Sequence, residues 1–154
     1  MDTIELAQAF DDFVAVAETG GFGAPRDGGW DAPHVLAHVH AVNAHIASTA
    51  LAIRAGLRVV YDNRPTLDEW NLRRIIAAAG STAALIDLVR RDSVMYRAVA
   101  ENLDDRDLEM SLHIFIVSDN LVMVDEPLPL LWLVTGVGEI HLPRHAAQLS
   151  DLRG

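Results

Sequence analysis

Apolar residues return every three or four positions through most of this chain, the period of helices that each bury one face. Leu6, Phe10, Phe13 and Ala17 line one side of a first helix, predicted from about Thr3 to Glu18. Asp2 or Thr3 can cap it, because a short polar side chain accepts from the free first-turn N–H groups. Gly20-Gly21 stops it, and a loop rich in Gly, Pro, Arg and Asp runs on to Gly29. A second helix follows Trp30, with Asp31 as N-cap and Pro33 in the first turn, where no donor is lost. Its stripe is Val35, Val39, Val42, Ile46 and Ile53, and Gly56 ends it. Leu57 to Pro65 reads as an extended connection. Thr66 and Glu69 have capping-box spacing and open a third helix. Gly80 interrupts that helix, Ser81 restarts it, and Asp104-Asp105-Arg106-Asp107 closes it after about Leu103.

The period then changes. His113 to Val117 and Leu121 to Val124 are apolar and β-branched, with turn formers Ser118-Asp119-Asn120 between them, which predicts a β-hairpin. A last helix starts between Leu128 and Leu131 and runs to about Leu152, with a stripe of Leu130, Leu131, Val134, Val137, Leu149 and Leu152. Helices of this kind must bury their stripes against one another. The expected architecture is all-α: a four-helix bundle with a small β-hairpin between helices 3 and 4, one domain spanning residues 1–154.

Charge and composition narrow the function. There are 12 Lys+Arg against 22 Asp+Glu, a formal net charge of -10, which argues against polyanionic partners such as nucleic acid or an anionic membrane surface. Cys is absent, excluding disulfides, thiolate metal sites and a catalytic Cys. No apolar run approaches the ~20 residues of a membrane-spanning helix, and Met1-Asp2-Thr3-Ile4-Glu5 lacks a basic region followed by an apolar stretch. A cytoplasmic location is therefore expected. No phosphate-cradling Gly-rich loop, Ser nucleophile elbow or dinucleotide fingerprint is present.

Candidate chemistry lies in the histidines, of which there are seven. On the last helix, His141 and His145 are four residues apart, so both imidazoles share one face, in the middle of the apolar stripe, and Gln148 extends the line. On helix 2, His38 flanks the stripe and can look inward. His34 and His45 lie further from its centre, and His40 falls on the opposite face, expected in solvent. His38, His141 and His145 can thus meet across the bundle as a metal site. Three neutral imidazoles suit Zn²⁺, Ni²⁺ or Fe²⁺ and leave a coordination position open. An H-x-x-x-H pair is equally a common surface or satisfied-core arrangement, and His34, His45 and His113 are expected to be polar rim residues. Pro143, between the two histidines, removes the bond to the Glu139 carbonyl and is expected to kink the helix.

Asp92 falls near the centre of the third helix's core face, beside Leu85, Leu88, Met95, Tyr96, Val99 and Leu103. A carboxylate there should orient a ligand His, take a proton at the site, or pair with a cation between helices. Glu139 lies off the stripe. Trp30, Tyr96 and Arg144 are candidate pocket residues, Arg144 for an anionic substrate group; Trp30, Trp70 and Trp132 are equally at home as packing.

Trp30 with His38 in W-D-A-P-H-V-L-A-H, and the closing H-L-P-R-H-A-A-Q-L from His141 to Leu149, resemble the signatures of DinB-like four-helix-bundle metalloproteins. The resemblance covers nearly the whole chain in helix order. It implies a divalent metal, often zinc or nickel, at His38, His141 and His145, and commonly a homodimer. Asp68-Glu69-Trp70-Asn71 and the hairpin look like the mycothiol-dependent branch, whose last helix carries a Glu where this chain has His141. The expected function is metal-dependent transfer or isomerisation of a small-molecule electrophile with a low-molecular-weight thiol such as mycothiol. The alternatives are a non-catalytic metal- or small-molecule-binding stress protein, and hydrolysis by metal-activated water.

Overall fold

The computed structural model describes residues 3–26 and 28–153, so Asp2, one of the two expected caps, lies outside the described residues. The fold is mainly helical with a small three-stranded sheet. Helix α1 (Ile4–Glu18) buries Leu6, Phe10, Phe13 and Ala17, the face its spacing predicts. The Thr3 hydroxyl, at its start, donates to Glu101 rather than capping α1.

Helix α2 (Ala32–Arg54) is the centre of the molecule. Asp31 caps it, accepting from the His34 N–H, and Pro33 sits in its first turn. Five consecutive residues, Val35, Leu36, Ala37, His38 and Val39, are all buried. A helix with one wet face cannot bury five in a row, since they span more than a full turn. Neighbours therefore cover α2 from several sides: α4 (Glu69–Ala79), α5 (Thr82–Glu101) and the C-terminal helix all pack on it. This is why His40, expected in solvent, is instead half-buried, facing α5.

Between α2 and α5 the structure departs from the expected pattern. Part of the connection is a strand, β1 (Val60–Asp62), followed by a single helical turn, α3 (Arg64–Leu67). Asp68, not Thr66, caps α4 by accepting from the Asn71 N–H. Thr66 lies inside α3 and its hydroxyl donates to the Asn63 carbonyl at 2.7 Å. Gly80 takes the left-handed conformation that ends α4 (φ 75°), and Ser81 caps α5. The acidic run from Asp104 does more than stop α5: Asp104 and Asp107 form a capping box that starts α6 (Asp105–Glu109).

Strands β2 (Ser111–Ser118) and β3 (Leu121–Pro129) form the expected hairpin, longer at its open end than the pattern suggested. Asp119 and Asn120, at φ 52° and 63°, make its turn. The unexpected β1 pairs in parallel with β2, Val60 opposite His113, giving the order β1-β2-β3.

The last helix is broken into α7 (Leu130–Gly136), a π turn (Val137–His141) and α8 (Leu142–Asp151). The Leu142 N–H reaches back to the Val137 carbonyl, five residues away. Pro143, with no N–H to give, follows this wide turn and sits at the start of α8, so the helix expected to kink at Pro143 is instead widened just before it. The turn lies close against α1: a Cβ on Gly138 would stand 3.3 Å from Leu6 Cδ1 and 3.4 Å from Leu6 Cα. Leu131, placed in the stripe by its spacing, is exposed, and Leu133 is buried instead. No helix among the described residues is long and apolar enough to cross a membrane.

Candidate metal centre

His38 enters from the buried side of α2. Its Nδ1 lies 2.8 Å from the Thr66 carbonyl. A carbonyl only accepts, so Nδ1 carries the proton and Nε2 presents a lone pair. His145, one turn into α8, is oriented the same way, with Nδ1 2.7 Å from Gln148 Oε1. His141, the last residue of the π turn, places its Nε2 3.1 Å from His38 Nε2. The ring centroids are 4.5 Å apart for His141–His145, 4.9 Å for His38–His145 and 5.1 Å for His38–His141. One nitrogen from each ring lies within 4.8 Å of the others, so these three histidines could hold a metal ion. Two nitrogens on a tetrahedral zinc stand ~3.3 Å apart, close to the His38–His141 separation.

Burial dominates the electrostatics. It drives the His38 pKa down to about 3, with His145 adding in the same direction and the Thr66 bond opposing. His141 falls well below the ordinary imidazole value, first through burial and then through its two neighbours. His145 is lowered by burial against the opposing bond to Gln148. The exposed Arg144 guanidinium pushes all three the same way. The rings are therefore neutral at neutral pH, the form that binds metal.

The proton count gives a second test of fit. With His38 Nε2 bare, the 3.1 Å contact requires His141 Nε2–H to donate to it in the metal-free protein. His141 Nδ1 is then left bare, buried and without a partner. Two neutral nitrogens sharing one proton, beside a third ring held in a fixed orientation, are a donor set suited to a divalent cation.

The other expected site residues separate into two groups. Trp30 is half-buried with its ring 4.8 Å from His38, beside the cluster. Arg144 follows the π turn, and its guanidinium donates to Ser118 Oγ at 3.2 Å and Asp119 Oδ2 at 3.4 Å, at the hairpin tip. Tyr96 is a core residue: its ring packs 6.1 Å from Phe10 and its hydroxyl donates to the Val134 carbonyl. Burial raises its pKa well above the ordinary value.

Asp92 hydrogen-bonds His40, which is not one of the three clustered histidines. Its carboxylate binds His40, Nδ1 to Oδ2 at 2.9 Å, on the face of α2 turned toward α5. The partner between helices is His40, whose pKa this carboxylate raises, rather than an Arg. Burial pushes the Asp92 carboxyl up.

His34 bonds Asp31 and lies 3.3 Å from Glu69, His45 stacks on Tyr61, and His113 pairs with Asp125, as rim residues should. Trp70 is exposed beneath Arg74 and Trp132 is partly exposed, so neither is core packing. The backbone carbonyl of Thr66 and the side chain of Asn63 behind it were missed, since a carbonyl partner has no sequence signal.

A cleft of about 620 Å³ lies between the end of α1, the Gly20–Pro25 loop and the first turns of α2 and α5. Asp31 on its wall is about 10 Å along α2 from His38, at 1.5 Å per residue. Comparison with known proteins yields nothing: no family model, curated protein or solved structure matches the chain.

Proposed function

We propose that this chain is a divalent-metal-dependent enzyme of the DinB-like kind, a four-helix bundle that joins a low-molecular-weight thiol to a small electrophile or isomerises it. One observation carries the reading: three neutral imidazoles, from α2, the π turn and α8, offer nitrogens within 4.8 Å of one another. His38, His141 and His145 would hold the ion, zinc or nickel by donor type. A cation there would favour the thiolate of a bound thiol. The chain has no Cys, so the nucleophile must come from the thiol cofactor. Three protein ligands leave room for it. Trp30 walls one side of His38.

The test is to load the purified protein with Zn²⁺, Ni²⁺ or Co²⁺, measure bound metal, and titrate mycothiol and other low-molecular-weight thiols with and without it. Stoichiometric uptake, lost in His38→Ala, and metal-dependent transfer to an electrophile panel are expected. Absence of uptake overturns the reading. Uptake without thiol binding or transfer leaves the non-catalytic metal-binding protein as the function.

A further inference from the structure

The buried side chain of Asn63 has no part in the proposed chemistry, yet it stands directly behind it. β1 leaves the sheet after Asp62, which pairs with Phe115. The Asn63 N–H still donates to the Phe115 carbonyl at 3.2 Å, and then the backbone turns into α3. The side chain continues the ladder where the backbone cannot: Asn63 Nδ2 donates to the Val117 carbonyl and Oδ1 accepts from the Val117 N–H, both at 2.9 Å. An amide one methylene from the backbone supplies one donor and one acceptor, as a strand residue would.

This clamp leads to the metal centre. The Asn63 carbonyl accepts from both the N–H (2.9 Å) and the hydroxyl (2.7 Å) of Thr66. The Thr66 carbonyl in turn accepts from His38 Nδ1 at 2.8 Å. The path runs from Val117 through Asn63 and Thr66 to His38, and its groups are buried or half-buried. Little water is at hand to replace a lost bond.

We propose that Asn63 is a positioning residue. By docking the first turn of α3 on β2, it aims the Thr66 carbonyl at His38, locks the Nδ1–H tautomer and turns the Nε2 lone pair toward His141 and His145. The inference rests on the metal-centre reading for its purpose, but the locked tautomer is a property of the metal-free protein and is measured separately. Groups that orient a ligating imidazole typically alter metal affinity about 10- to 100-fold.

The experiment is long-range ¹H–¹⁵N NMR of the histidine rings in the metal-free full chain, with zinc affinity measured in parallel. The native protein should show His38 as the single Nδ1–H tautomer. Asn63→Ala should show mixed tautomers and bind zinc about 10- to 100-fold more weakly. Asn63→Asp keeps the acceptor for the Val117 N–H and loses the donor, and should fall between. Thr66→Val removes the hydroxyl brace alone, and should also mix the tautomers if Asn63→Ala does not fold. A native Nε2–H tautomer, or variants that keep the single Nδ1–H form and native affinity, overturns the proposal. A native protein that takes up no zinc while Asn63→Ala still mixes the tautomers upholds the positioning role and removes the metal reading.

Discussion

His38 and His141, 103 residues apart in the chain, share one proton between Nε2 atoms 3.1 Å apart. The Thr66 carbonyl fixes which ring donates, because it accepts from His38 Nδ1. A metal ion at this place competes with that proton, and the displaced proton has His141 Nδ1 as its seat, where the protein offers no acceptor. Acid, metal and core stability are therefore linked at one point.

The first consequence concerns pH. His38, His141 and His145 all have lowered values in the folded protein. An unfolded imidazole takes its proton near 6.5, whereas folded His38 holds out to about 3. Between these limits the unfolded chain binds more protons at His38, so that contribution is present above 6.5 and is lost as pH falls through the window, by about 1.4 kcal/mol per pH unit, with His141 and His145 acting in the same direction. The raised carboxyl of Asp92 opposes this in the acid range. Raised His40 stabilises as pH falls toward 6.5 from above, placing the stability maximum near that pH. Urea midpoints of the metal-free protein between pH 8 and 4 should trace this dome, and His38→Leu should flatten its acid limb; an acid limb equally steep in His38→Leu refutes it.

Replacing His141 by Leu should separate stability from binding. The substitution removes the unpartnered buried Nδ1 of His141 but also takes the donor from buried His38 Nε2, and each such atom costs about 1–3 kcal/mol. With chelator present, the two effects offset, so the variant should unfold at nearly the native urea concentration and take up no zinc. A variant less stable than native shows that the imidazole fits its site well without an ion.

Asp92→Asn tests which site the carboxylate serves. Its partner is His40, so zinc affinity should change by less than about twofold while the His40 pKa falls toward the ordinary value. NMR titration of the ring and a zinc competition assay read the two effects. A tenfold loss of zinc affinity places Asp92 at the metal after all.

Arg144→Gln removes a cation that bears on all three rings. The guanidinium is exposed, so the gain in zinc affinity should be small, roughly two- to fivefold, and should shrink in high salt. Weaker zinc binding in this variant means that Arg144's tie to Ser118 and Asp119 holds the centre together.

The two ligand-bearing segments were readable in the sequence because helical spacing puts His38 on a flank of one apolar stripe and His141 with His145 on another. That arithmetic survives the π turn, since the pair itself remains four residues apart with centroids 4.5 Å apart. It failed for His40 because a helical wheel assumes one wet face, and α2 is covered by several neighbours. It failed for β1 because three residues carry no period; that strand exists through its pairing with β2. Asp92 was recognised as a buried charge in need of a partner, but which partner depends on how α5 meets α2, a matter of packing. Thr66 was read as a cap, whereas the bond that matters to the site belongs to its backbone.

The parallel pairing of β1 with β2 also bears on how the protein forms. Asn63 and Val117 are 54 positions apart, and joining parallel strands requires the chain to go out and come back, here through α3 to α6. Closing so long a loop loses entropy before any contact offsets it. During synthesis, a nascent chain that has emerged through α5 has β1 with no strand to join and His38 with no rings to meet. The metal centre should therefore be among the last regions to gain protection in pulse-labelling hydrogen exchange, after α1, α2 and α5 have already collapsed.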